Sequence, residues 1–89
     1  MRAVITVVGK DSVGILAQVS DICAENNVNV IEVTQSILQD MFCMIMIVDL
    51  SKCNKSFTEF SDSMAELGKK QALSIHVMHE DIFNSMHRI

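Results

Sequence analysis

Apolar residues in this chain recur at every second position, then at every third and fourth, and the two periods trade places along its length. From Arg2 to Val8 a β-branched run sets Ala3, Ile5 and Val7 on one face and Val4, Thr6 and Val8 on the other. Both faces are largely apolar, which predicts a strand buried in the middle of its sheet. Gly9 ends that run and a polar loop follows. From Val13 to Asn26 the spacing turns helical, with Ile15, Val19, Ile22 and Asn26 on a stripe widened by Leu16 and Cys23. Asp11 or Ser12 is the natural N-cap, and Asn26-Asn27 supplies a left-handed stop.

Alternation resumes from Asn29 to Leu38, where Ile31, Val33 and Ile37 oppose Glu32, Thr34 and Ser36, the pattern of a strand with one wet face. Gln39-Asp40 reads as a two-residue turn without the usual glycine. Phe42 to Leu50 is apolar on both faces and predicts a second central strand. After a polar loop from Ser51 to Lys55, Ser56-Phe57-Thr58-Glu59 forms a capping box. It opens a helix whose core stripe is Phe57, Phe60, Met64 and Leu67, with Gly68 as its stop. Leu73 to Met78 predicts a fourth strand, and Asp81 to Arg88 a short last helix carrying Ile82, Phe83 and Met86, acidic at its start and basic (His87, Arg88) at its end.

The order strand-helix-strand-strand-helix-strand requires two helices on one face of a four-stranded antiparallel sheet. The fold class is therefore α+β: a ferredoxin-like βαββαβ sandwich, sheet order 4132, followed by a short C-terminal helix. That order makes strands one and three central, and these are the two strands apolar on both faces. Eighty-nine residues make one domain, 1–89, with its core in 2–78 and the last helix at 81–88.

Composition narrows what such a fold can do. A net charge of −4 argues against nucleic-acid binding, which needs a basic face. Lys52, Lys55, Lys69 and Lys70 read as solvated loop and helix ends. The longest apolar run, Met41 to Val48, is too short to span a bilayer, and the N-terminus reads as a strand, not a signal peptide, so a cytoplasmic protein is expected. Cys23, Cys43 and Cys53 are odd in number and lack Cys-x-x-Cys spacing. Cys23 and Cys43 fit small buried hydrophobes, and Cys53 sits in a polar loop. His76 and His79 are three apart on a strand and point to opposite faces, so neither metal nor cofactor is expected. No nucleophile stands beside a base, so no enzyme activity is expected either. An apolar open sheet face formed by Val4, Val8, Cys43, Ile45 and Ile47 would mark an interaction surface, unless the last helix covers it.

One junction carries chemistry. Between the first strand and helix, Gly9-Lys10-Asp11-Ser12-Val13-Gly14-Ile15-Leu16 presents a helix start whose backbone N–H groups lack intrahelical partners and attract negative charge. Gly14 lets another group approach that backbone closely, which suits a carboxylate. A tight turn, with Asp11 as an ordinary N-cap and Asn29 as an ordinary turn residue, accounts for the same residues.

That octapeptide, with Asn27-Val28-Asn29-Val30 after it, resembles the ACT domain, whose members typically read Asp-Arg-Pro-Gly-(Ile/Val)-(Leu/Val) after strand one and (Gly/Asn)-(Val/Ile)-Asn-Ile at strand two. The resemblance spans Arg2 to Met78 and extends to stand-alone ACT proteins and to one half of the glycine cleavage system repressor. It implies an amino-acid sensor that pairs side by side as a homodimer, its ligand held at the interface by Asp11, Ser12, Val13, Gly14 and Ile15, with Asn29 contributed from strand two. Val13 stands where the family usually has proline, and Ser12 where it usually has arginine. The alternative is a regulatory module that dimerises and contacts a protein partner without binding a metabolite.

Overall fold

A computed structural model describes residues 1–86. Strand β1 (Arg2–Lys10) is followed by helix α1 (Ile15–Glu25), strands β2 (Asn29–Leu38) and β3 (Met41–Asp49), helix α2 (Phe57–Gln71), strand β4 (Leu73–His79) and helix α3 (Glu80–Met86). The expected basic end of the last helix, His87 and Arg88, lies outside the described residues. The sheet is antiparallel in the order β2-β3-β1-β4. This is the ferredoxin-like order expected from the pattern, with β1 and β3 central.

Between the sheet and helices α1 and α2 lies a core of Ala3, Ile5 and Val7 from β1, Phe42, Met44, Met46 and Val48 from β3, and Leu73 and Ile75 from β4. Ile15, Val19 and Cys23 of α1 and Phe60 and Met64 of α2 close it from above. Burial pushes the Cys23 thiol up to about 11, with Cys53 nearby adding to the shift, so Cys23 packs as a small hydrophobe. Cys53 sits in the loop after β3, as expected, with its side chain half-buried against the same core, while Cys43 is only half-buried on the opposite sheet face.

Two glycines do other work than the sequence pattern suggests. Gly9 does not end its strand: β1 runs on to Lys10, and a Cβ at Gly9 would lie 2.6 Å from Leu73 Cδ2. Gly68 does not stop α2, which continues to Gln71 and ends on Ala72 in the left-handed region at φ 57°. A Cβ at Gly68 would meet the Leu73 carbonyl oxygen at 2.6 Å, so this glycine lets the helix lie directly on the start of β4. Asparagine does stop α1 as expected. Asn27 adopts φ 58°, its N–H reaches Ala24 O at 3.2 Å, and Val28 N–H reaches Cys23 O at 2.8 Å, a Schellman ending.

Strand β2 departs most from its pattern. The pairing steps from Val30↔Val48 to Glu32↔Ile47, leaving Ile31 as an extra residue that breaks the alternation. Beyond it every residue from Ile31 to Leu38 is exposed, on both faces. Val33 and Ile37 pair with the buried Met46 and Phe42 and so face the helix side, yet the helices do not cover them.

Candidate functional site

The loop between β1 and α1 is built by register. Lys10 pairs with Met41, which brings Asp11 opposite the β2–β3 turn, and its N–H donates to Asp40 O at 2.8 Å. Gln39, at φ 59°, makes that turn without glycine. Asp11 and Ser12 therefore do not cap α1. The cap is Gly14, at φ 85° and ψ 12°, whose carbonyl accepts the first helical bond from Gln18 N–H at 3.0 Å. Among the described residues no side chain caps this first turn, and no acid lies in it. Asp11, Ser12, Val13 and Gly14 are exposed, Val13 at 98 %, while the Ile15 side chain is buried in the core. Ile15 can offer a ligand only its backbone.

Asn29 lies at the opposite end of the molecule, because β2 starts where α1 finishes and runs back toward the Asp11 loop. Within one chain the five loop residues come together and Asn29 stands apart from them. Its own surroundings are firmly built. Asn54 N–H donates to Asn26 O at 3.1 Å, Asn27 Nδ2 to Lys52 O at 2.9 Å, and Asn54 Nδ2 to Glu25 O at 3.2 Å. Asn29 pairs directly with Asp49 and borders a cleft of about 390 Å³ lined also by Asn27, Ser51 and Lys52. Hydrogen bonds from the Ser51 hydroxyl (2.6 Å) and amide (2.9 Å) hold the Asp49 carboxyl below its ordinary range.

Sequence reasoning gave Asn29 a site role but none to Asp40, Asp49, Ser51 or Lys52. Strand register could have found Asp40, since a two-residue turn beside the end of β1 must meet whatever follows Lys10. Nothing local marks Asp49 or Lys52. Thr6↔His76 and Ala3↔His79 put the two histidines on opposite faces, as their spacing requires, and His79 stacks on Phe57 at a ring separation of 4.5 Å. Among the described residues no group of three or more His, Cys, Asp or Glu side chains converges on one point, and no helix is long and apolar enough to cross a membrane.

A split βαβ sandwich with an uncapped, glycine-started first helix belongs to a recognisable class of small α+β modules. The ACT domain family profile matches residues 2–78. A UPF0237 protein of Neisseria meningitidis is 52 % identical over 88 residues, covering 99 % of this chain and 98 % of that one. The solved ACT domain protein from Streptococcus pneumoniae superposes with a TM-score of 0.81 at 35 % identity, over 93 % of each chain. A candidate glycine cleavage system transcriptional repressor shares the fold, with a TM-score of 0.70 at 22 % identity, over 85 % of this chain and 43 % of that one. The chain belongs to the ACT domain family.

Proposed function

We propose that this protein is a cytoplasmic, non-catalytic sensor that dimerises along β2 and binds a free amino acid at the ends of the joint. The observation that carries this reading is the state of β2. It is an edge strand, exposed from Ile31 to Leu38, with Ile31, Val33, Ile37 and Leu38 among its exposed apolar side chains. A bare apolar edge is an aggregation hazard unless another strand pairs with it. Antiparallel pairing of two β2 strands brings the partner's Asn29 beside this chain's Leu38 to Asp40, where Asp11 is hydrogen-bonded. Two sites result, each with the open amides of one protomer and the Asn29 cleft of the other. The ligand carboxylate meets the amides from Ser12 to Ile15, and its ammonium meets Asp11. Membership of the ACT family and likeness to a candidate repressor of an amino-acid-degrading system support the regulatory reading.

A second reading keeps the dimer and replaces the metabolite with a protein partner. Val13, nearly fully exposed where the ACT pattern has proline, favours it, because it offers an apolar contact at the loop. A thermal-shift panel of the common amino acids separates the two. A ligand at a hundred times its Kd adds about 2.7 kcal/mol of stability and raises Tm. Calorimetry with Asp11→Ala should then show a ten- to hundredfold loss of affinity, for roughly 1.5–3 kcal/mol of charged hydrogen bond. A flat panel overturns the sensor reading, and an unchanged Asp11→Ala moves the site elsewhere.

A further inference from the structure

The sheet face turned away from α1 and α2 is half covered. Cross-strand pairing makes three rows across β3, β1 and β4: Ile47-Val4-Met78, Ile45-Thr6-His76 and Cys43-Val8-Ser74. Along β1, Val4 is 1 % exposed and Val8 40 %, although both point to this face. The difference is α3, which follows β4 without a break, packs on β1 and β4, and is tied down by an Arg2–Glu80 ion pair at 3.2 Å. It shields the Val4 end and leaves Val8 and Ile45, 42 % exposed, bare at the other. The helix itself turns apolar side chains outward, Ile82 at 52 % and Met86 at 66 %.

We infer that a second copy of this chain covers this face, seating its α3 in the bare half around Val8 and Ile45. Apolar helix surface and bare sheet sit at opposite ends of one face. A two-fold axis in the sheet plane, perpendicular to the strands, therefore lays each copy's helix on the other's bare half, the self-complementary contact of an isologous dimer. The two α3 helices share one layer between the sheets. The same rotation carries the acidic start of α3, with the exposed Asp81, over the Ser74–His76 corner of β4, where Ser74 Oγ lies 3.1 Å from His76 Nε2. A carboxylate thus meets a hydroxyl and a ring nitrogen with which it can hydrogen-bond, around an apolar centre. The contact does not involve β2, so it is compatible with the edge pairing proposed above. Together the two joints make a four-copy assembly with three mutually perpendicular two-fold axes.

The test is solution mass by light scattering, combined with reaction of Cys43 with a thiol reagent. The wild type should scatter as four copies with Cys43 protected. Met86→Glu on the helix and Ile45→Glu on the bare half both sit at exposed positions, and each should halve the mass and open Cys43 to reagent. Val33→Asp on the β2 edge should also halve the mass while leaving Cys43 protected. If the edge joint is absent and the face joint present, the wild type is a dimer that only the face variants dissociate. A wild-type mass unmoved by both face variants, or Cys43 reactive from the start, overturns the inference, as does a monomer.

Discussion

Helices α1 and α2 lie on the same face of one sheet and begin in opposite ways. At α2 the Ser56 hydroxyl accepts from Glu59 N–H and the Glu59 carboxylate accepts from Ser56 N–H, both at 3.1 Å, so two open donors are closed by the chain itself. At α1 the cap is a glycine with no side chain to offer, and the turn contains no acid. α1 is held by other means: Ile15, Val19 and Cys23 in the core, and the Schellman ending at Asn27. The open start of α1 leaves a stable helix with donors facing solvent at the one loop braced against the β2–β3 turn.

The largest break in this comparison should come at Gly14. A Cβ there makes only an ordinary van der Waals contact, with Gln18 Nε2 at 3.8 Å, so the obstacle is the backbone at φ 85°. Gly14→Val should cost about 1–3 kcal/mol, while Gly14→Asn, able to enter the left-handed region, should cost less. Urea unfolding with unchanged m-values measures both. Equal stability of the two variants would mean that α1 starts in some other conformation. It follows that Gly14→Val is a poor probe of ligand approach, and Asp11→Ala, at an exposed side chain, a better one.

Side-chain caps supply the next effect. Ser56→Ala should lower stability by about 1 kcal/mol, within a range of roughly 0.5–2 kcal/mol, and leave ligand affinity untouched. Ser12→Ala should change stability little, because its hydroxyl caps nothing in the folded chain. Matched chemical denaturation curves decide it. A loss at Ser12 as large as at Ser56 would show that both helix starts are closed by side chains after all.

The two helix starts also mark what could be read from the chain. The capping box is local, four consecutive residues bonded to one another, and Ser56-Phe57-Thr58-Glu59 declared it. The centrality of β1 and β3 was equally plain, since burial on both faces leaves apolar residues at successive positions. The cap of α1 was misread as Asp11 or Ser12 because the register of β1 against β3 and the Asp11–Asp40 hydrogen bond decide the loop's path. Gly9 and Gly68 are not stops because each is fixed by packing on Leu73, which lies 64 residues beyond Gly9 in the sequence and meets Gly68 only because the chain turns back at Ala72. On β2, alternation implied a covered face, but cover depends on where α1 and α2 end. The candidate site divides the same way. Its loop is contiguous in sequence and was legible, whereas the Asp49 and Lys52 cleft beside Asn29 assembles only in the fold.

The smallest effect is acid dependence, and it too should separate the helices. The Glu59 carboxyl is held below its ordinary value of 4.5 first by the Ser56 backbone N–H and then by the Ser56 side chain. A carboxyl whose pKa is lower folded than unfolded binds more protons in the unfolded chain, so its contribution is complete above the unfolded value. It fades as pH falls through the window between 4.5 and the lower folded value. Because Glu59 is exposed, solvent screening keeps the effect small. Asp49, held down by Ser51, adds a second contribution of the same sign at the far end of the sheet. Helix α1 has no first-turn acid and adds none. Glu59→Gln should therefore flatten the fall in urea midpoint between pH 6 and pH 3 by a small amount, Asp49→Asn by another, and the double variant by their sum, since the groups share no partner. If neither Glu59→Gln nor Asp49→Asn flattens the acid limb, the hydrogen bonds from Ser56 and Ser51 do not hold those carboxylates in solution.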